Sequence, residues 1–225
     1  MPLRTLIIGD VHGCALTLHR LLFDVVRVRR NDRVYFLGDL IDRGPRSKEV
    51  LDTIMRLQSA GYSISSVRGN HEEMLLNACR DRDDFRLWMI NGGKTTLESF
   101  RADDACEIPL TYHQFLANLP LYVMLDDFIL VHAGINCSVA NPLADRDAML
   151  WSRGMEVDPE RLGNRKVICA HTPHTFDDIM ATLSTDCIVL DGGCVYFGQP
   201  SFGKLVALEL GSMTLYHADN CDFPT

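Results

Sequence analysis

The chain has 225 residues, enough for one large domain or two small ones and for a substantial buried core. Hydrophobic residues make up 47% and charged residues 23%, an ordinary globular mix that excludes disorder, and a formal charge of −8 argues against sequence-independent binding to nucleic acid. No apolar run approaches the roughly 20 residues of a bilayer span, and the run from Met1 to Asp10 is too short for a signal peptide, so the expectation is a soluble, cytoplasmic protein with no membrane partner.

In chain order, Thr5 to Ile8 reads as a strand stopped by Gly9. Residues 15–28 carry apolar positions at helical spacing, Val34 to Leu37 form a second strand before Gly38, and 47–60 are again helical in period, closed by Gly61. Ile64 to Val67 follow as a third strand. Strands and helices alternating at this length argue for βαβ units and a parallel sheet. Residues 71–120 read as a helical insertion, interrupted at Asn91-Gly92-Gly93 and between Asp103 and Pro109. Strands then return at Leu121 to Leu125 and Phe128 to Val131, joined by a hairpin-like turn at Asp126-Asp127. Val167 to Ala170, Ile179 to Leu183, Cys187 to Leu190, 204–210 and 213–217 complete a β-rich half expected to be largely antiparallel. No linker, charge block or repeat divides the chain, so residues 1–225 are expected to form a single α/β domain with two sheets, βαβαβ in its first half.

Eight cysteines are scattered with no C-x-x-C pair, the pattern of reduced thiols rather than a disulfide framework or zinc ribbon. Cys14, Cys137 and Cys194 lie beside the motifs described next, which makes them the candidates for redox sensitivity.

The residues that follow the apolar runs carry the chemistry: Gly9-Asp10-Val11-His12, Gly38-Asp39, Arg68-Gly69-Asn70-His71, His132 and His171. Asp10, Asp39 and Asn70 are spaced by 29 and 31 residues, about one βαβ unit, which brings all three to the carboxyl edge of a parallel sheet, where open α/β sheets bind ligands. Asp10, Asp39, Asn70, His12, His132 and His171 make a mixed N/O set without thiolate, suited to Mn, Fe or Zn and leaving Mg open. Six ligands exceed the needs of one catalytic ion. Two divalent ions sharing a bridging carboxylate would use them all and leave room for water and substrate. Individually each residue has a duller reading: Gly-Asp as a turn, Asn70 with Glu73 as a helix N-cap box, Asp42-Arg43-Gly44-Pro45 as a surface turn.

Taken together, Gly9-Asp10-Val11-His12-Gly13, Gly38-Asp39-Leu40-Ile41-Asp42-Arg43-Gly44 and Arg68-Gly69-Asn70-His71-Glu72 resemble the three ordered motifs of the phosphoprotein phosphatase family of calcineurin-like metallophosphoesterases. Val131-His132-Ala133-Gly134 and His171-Thr172 resemble its remaining metal-binding elements. Trp88 to Gly93, Trp151-Ser152-Arg153 and Asp191-Gly192-Gly193 are similar to looser features of its compact bacterial and phage lambda phosphatase-like members. Ala170 departs from the glycine usual before His-Thr. The resemblance implies a two-sheet metallophosphoesterase sandwich flanked by helices. It further implies one metal on Asp10, His12 and Asp39 and a second on Asp39, Asn70, His132 and His171, with Asp39 bridging and activated water attacking phosphorus in line. Arg43 and Arg68, with Arg153 as a third, would hold the phosphoryl oxygens. His71, oriented by Asp42, would protonate the leaving group. Glu72 and Glu73 are expected in the first helical turn, and His174 to line the site or lie on the surface.

The expected activity is a manganese-dependent phosphomonoesterase acting on phosphoserine and phosphothreonine proteins, with phosphotyrosine and small phosphoesters as further substrates. The alternative is a diadenosine tetraphosphate hydrolase. Such relatives typically lack an acidic residue at the position of Asp42, which favours the phosphatase. A nucleotide phosphodiesterase and a non-catalytic metal-binding scaffold are more distant readings, the scaffold because relatives of that kind lose ligands that are all present here.

Overall fold

The computed structural model describes residues 3–154 and 156–223. The first apolar run becomes strand β1 (Thr5–Ile8) because successive side chains find different partners: Leu6 and Ile8 face a layer of helices, whereas Ile7 faces a second sheet. This two-sided burial recurs in β2 (Arg33–Phe36) and explains the continuous apolar character of both runs. Between them, α1 (Ala15–His19) runs into a π-helical turn (Arg20–Val25), shorter than the expected helix over 15–28. Helix α2 (Ser47–Ser59) ends as its sequence suggests, with Gly61 at φ +85° and the amide of Tyr62 donating to the carbonyl of Leu57 at 3.0 Å. Strand β3 (Ser63–Ser66) then completes the parallel trio, with Ile8 opposite Phe36 and Phe36 opposite Ser66. That register brings the turns after β1, β2 and β3 to one edge.

The helical insertion consists of α3 (Asn70–Ala78), α4 (Arg82–Trp88), a π-helical turn (Met89–Gly93), α5 (Lys94–Phe100) and α6 (Leu110–Ala117). The expected break at Asn91-Gly92-Gly93 is a kink inside continuous helix, with Gly92 at φ +109°. Strands β4 (Tyr122–Met124) and β5 (Phe128–Val131) form the antiparallel hairpin, its turn closed by the Leu125 amide on the Phe128 carbonyl at 2.8 Å.

Two expectations for the second half are corrected. Ile179 to Leu183 belongs to helix α8 (Phe176–Thr182), not to a strand: Thr175 caps it by accepting from the Asp178 amide, and only one face is buried, on Ile179. Because α8 is a crossover helix, β6 (Lys166–Cys169) and β7 (Cys187–Val189) run parallel to each other and to β5. The half is therefore mixed, with antiparallel pairing confined to β4–β5 and to β8 (Lys204–Glu209) against β1 and β9 (Thr214–Asp219).

The two sheets are β3-β2-β1-β8-β9 and β4-β5-β6-β7. They pack through Ile7, Val206 and Leu208 on one side and Leu130, Ile168 and Ile188 on the other. Helices cover the outer face of the first sheet, and Met149 of α7 (Arg146–Trp151) with Ile135 and Leu162 covers that of the second. Fully burying an aliphatic side chain stabilises by roughly 1.5–3 kcal/mol, so this interior holds the carboxyl edges of both sheets rigidly together. His132 follows β5 directly, and His171 lies two residues beyond β6.

Candidate metal centre

The turns at the sheet edge are strained in a patterned way. His12 and Asp39 (φ +46°), Asp42 (+71°), Arg43 (+67°) and His171 (+68°) all adopt the left-handed region unfavourable to residues with a Cβ. Such strain persists only where surrounding contacts over-determine it. One contact responsible is Glu72, fully buried, whose carboxylate accepts from the amides of Asp39 (2.9 Å), Leu40 (2.8 Å) and Gly69 (2.8 Å). Burial and the Asp39 charge raise the Glu72 carboxyl to about 7. The helix cap is thus Gly69 with Glu72, one residue earlier than the Asn70–Glu73 box expected from sequence. Gly69 is obligatory, since a Cβ there would lie 2.2 Å from Asp39 Oδ1 and 2.5 Å from its amide.

Around Asp39 the predicted residues converge. Its Oδ2 lies 3.5 Å from His12 Nε2 and 3.9 Å from His71 Nε2, whereas its Oδ1 lies 3.4 Å from His132 Nε2. Asn70 Oδ1 is 2.9 Å from His132 Nε2 and 3.1 Å from His171 Nδ1. Asp10 Oδ2 accepts from the His171 amide at 3.1 Å, and its Oδ1 stands 3.7 Å from His132 Nδ1. Among the described residues two groups could hold a cation, His12 with Asp39 and His71, and Asp39 with His132 and His171, each with ligand atoms within 4.8 Å of one another. Asp39 belongs to both.

The donor chemistry fits divalent ions. His12 Nδ1 donates to the Ile41 carbonyl at 3.0 Å and His132 Nδ1 to the Leu37 carbonyl at 2.8 Å, which fixes each ring with its Nε2 lone pair turned inward. Burial lowers the pKa of His12 and His132, and lowers that of His171 to about 4, so the three rings are neutral and able to offer a lone pair to a cation. His132 Nε2, Asn70 Oδ1 and Asp39 Oδ1 are then three acceptors turned towards one another, an arrangement that a cation satisfies. Asp10 Oδ1 and His171 Nε2 are buried without a hydrogen-bond partner. Burial raises Asp10 well above the usual carboxylate range, with Asp191 and Asp39 adding to the effect; Asp191 itself rises to about 6.

A second constellation adjoins the first. His71 is fully buried, with Nδ1 2.7 Å from Asp42 Oδ2 and Nε2 left without a partner. Asp42 is held by Trp88 Nε1 on Oδ2 (2.8 Å) and Thr96 Oγ1 on Oδ1 (2.6 Å), while its amide donates to Ser47 and Thr96 hydroxyls at 3.0 Å each. Burial opposes protonation of His71, but the carboxylates of Asp39 and Asp42 outweigh it and raise its pKa. The insertion therefore does more than shape a rim, because Trp88 and Thr96 reach under the site to fix Asp42.

The arginines divide. Arg43 Nη1 donates to His12 Nε2 at 2.7 Å, at the centre itself. Arg68, placed by its motif on the phosphoryl group, is instead turned to Glu73 Oε2 (3.0 Å) and the Ala117 carbonyl. The same Glu73 oxygen accepts from Arg146 Nη2 at 2.6 Å, so Glu73 pairs two guanidiniums rather than merely facing a helix dipole. Arg153 is exposed, and its charge contributes to lowering His171. His174 is half-buried with Nδ1 on the Thr172 carbonyl (2.6 Å). Cys14 and Cys194 are buried, and Cys137 lines a cavity of about 620 Å³ that no predicted ligand residue lines. Cys14 and Cys194 share a side-chain hydrogen bond, and Cys169 and Cys187, on adjacent strands, hold their sulfurs 3.7 Å apart.

Residues 3–213 match the calcineurin-like phosphoesterase family. An asymmetrical bis(5'-nucleosyl)-tetraphosphatase of Anoxybacillus flavithermus is 33% identical over 220 residues, 86% of this chain and 86% of that one. Serine/threonine-protein phosphatase 2 of Salmonella typhimurium is 29% identical over 211 residues, 88% of this chain and 91% of that one. The chain spans about half the length of the symmetrical bis(5'-nucleosyl)-tetraphosphatases it matches, 47% and 45% for two Vibrio proteins. Among solved structures, a protein serine/threonine phosphatase of Saccharomyces cerevisiae superposes with a TM-score of 0.67 at 15% identity, over 99% of this chain and 81% of that one, which shows the shared fold. This chain belongs to the calcineurin-like phosphoesterase family.

Proposed function

We propose that this chain is a metal-dependent phosphomonoesterase acting on phosphoserine and phosphothreonine proteins, and on phosphotyrosine and small phosphoesters, from one catalytic unit formed by residues 1–225. The observation that carries this reading is the division of Asp39, one oxygen facing His12 and the other His132. One ion is assigned to Asp10, His12 and Asp39 and the other to Asp39, Asn70, His132 and His171, with manganese the expected metal and iron or zinc able to substitute. When bound, such a pair supplies Lewis-acid polarisation of the phosphoester and lowers the pKa of the attacking water.

The chain's own residues supply the rest. Asp42 holds the His71 ring through Nδ1, which leaves Nε2–H of the protonated ring to donate to the departing alkoxide oxygen. Trp88 and Thr96 bind both Asp42 oxygens, so the carboxylate cannot rotate away from His71. Arg43, whose guanidinium lies beside His12, would bind phosphoryl oxygens as charge develops on them, with Arg68 and Arg153 as further candidates. Two dications, Arg43 and protonated His71 against Asp10, Asp39, Asp42 and a hydroxide leave roughly +2 locally, so a phosphate dianion is attracted to an otherwise acidic molecule.

Diadenosine tetraphosphate hydrolysis is the second reading, favoured by the Anoxybacillus relative that matches over most of its length. The test is kcat/KM measured side by side with manganese for a phosphopeptide, diadenosine tetraphosphate and a cyclic nucleotide. The proposal expects the phosphopeptide to lead. A lead for diadenosine tetraphosphate supports the second reading, and no turnover of any of them with Mn, Fe or Zn supports a scaffold.

A further inference from the structure

We propose that Trp151 is a stacking platform for a planar aromatic group carried on the phosphoester, so that among small phosphoesters of equal charge, which lack the contacts of a peptide chain, those with an aryl or nucleoside group bind better than simple alkyl ones. This rests on the phosphoesterase reading above and narrows its substrate. The chain's two tryptophans are used in opposite ways. Trp88 is fully buried and its Nε1 is committed to Asp42. Trp151, at the end of α7, is 41% exposed and donates no hydrogen bond among the described residues, yet its ring centroid lies 6.5 Å from that of His171, with the planes at 86°.

A single exposed apolar residue needs no explanation, but this one is not isolated. With Met74, Leu87 and Leu150 it lines a cavity of about 130 Å³, and Leu87 and Ile90, on consecutive turns of the helix opposite, are 47% and 84% exposed. In volume this cavity is comparable to the roughly 150 Å³ that takes up benzene, and its lining is mixed, so the ring would lie against the indole, Met74, Leu87 and Leu150 with polar groups at its edge. The cavity also carries the carboxylates of Glu73, Asp84 and Asp147 against the single guanidinium of Arg146, itself bound to Glu73, so a second anion is opposed and the ring is the group recognised. A phosphoryl group held beside His171 places an aryl or nucleoside leaving group next to the indole, whereas a small alkyl ester offers it no ring.

The test compares phenylphosphonate with methylphosphonate as inhibitors of the manganese-loaded enzyme, since both carry the same anion and neither is hydrolysed. In the wild type phenylphosphonate should inhibit about tenfold more tightly, the size of one aromatic stack. It should also quench tryptophan fluorescence where methylphosphonate does not. In W151A and in W151L, which keeps an apolar surface without a ring, the ratio should fall to near one; W151F should retain most of it. Adenosine 5'-monophosphate in the same assay distinguishes a nucleotide from an aryl leaving group: tighter binding than phenylphosphonate, lost in W151L, identifies the nucleotide. An unchanged phenyl-to-methyl ratio in both W151A and W151L would overturn the platform while leaving the phosphoesterase reading intact. If neither phosphonate bound and no phosphoester were turned over, the phosphoesterase reading would fail and the platform with it.

Discussion

Replacing His71 by Asn separates an acid catalyst from a metal ligand, two roles that proximity alone does not distinguish. His71 Nε2 lies 3.9 Å from Asp39 Oδ2, close enough to group it with His12 and Asp39 as a cation-binding cluster. Its Nδ1, however, is held at 2.7 Å by Asp42, which is anchored independently by Trp88 and Thr96. In H71N those two anchors remain, so the fold loses at most one charge-assisted hydrogen bond, about 1.5–3 kcal/mol. A general acid contributes about 10²–10⁴ in rate, or roughly 3–5 kcal/mol of barrier. The loss of kcat should be in that range for phenyl phosphate, whose leaving group needs the proton. It should be much smaller for p-nitrophenyl phosphate, whose leaving group departs as a stable anion. Metal content by mass spectrometry should stay at the wild-type value. Asp42→Asn should give a smaller loss with the same leaving-group dependence. Loss of metal in H71N, or equal losses on both esters, would refute the acid role.

The other residues give independent tests. Asp39→Asn should lower the occupancy of both ions together, read by metal analysis after dialysis; loss of a single ion would contradict its shared position. Glu72→Gln leaves one acceptor oxygen where two serve three buried amides, turning an NH2 towards either Leu40 or the Asp39–Gly69 pair, and should destabilise by about 2–3 kcal/mol in urea unfolding, with weaker metal retention although Glu72 is not itself proposed as a ligand. Glu73→Gln releases Arg68 and should lower the inhibition constant of inorganic phosphate severalfold; an unchanged constant would remove Arg68 from the phosphate site. Asp32, 1% exposed, accepts from Arg4 Nε at 3.1 Å and the Arg29 amide at 2.8 Å; burial opposes its charge, yet these bonds hold its pKa below the usual value. A depressed carboxylate stabilises above its unfolded pKa and loses that contribution as pH falls through the folded one. Asp32→Asn should therefore cost about 1–2 kcal/mol at neutral pH, with the difference vanishing well below pH 3.8.

What the sequence revealed and what it hid follow from interaction range. Asp10, Asp39 and Asn70 were legible because a βαβ repeat converts linear spacing into a shared sheet edge, and His132 because it ends an apolar run. The identity of the group holding Asp42 was not, since Trp88 and Thr96 lie 46 and 54 residues away and meet it only through the kinked insertion. Glu72 shows the same limit: its spacing signals a helix start, but the reach of its oxygens to the Asp39 turn depends on the parallel register. Ile179 to Leu183 misled because a short apolar run has no resolvable period, although Thr175 ahead of Asp177 and Asp178 carried a helix-start signal. Arg68 is named by its motif, and its pairing with Glu73 was not legible because the same spacing reads equally as a helix start.

The most direct test of the two-ion centre is the stoichiometry and magnetic coupling of manganese in the reconstituted protein. Metal analysis and electron paramagnetic resonance should find two Mn(II) per chain, with the multiline signal of an exchange-coupled pair about 3.5–4 Å apart. One Mn(II) per chain at full activity, or two giving only isolated-ion spectra, would contradict a centre built across Asp39.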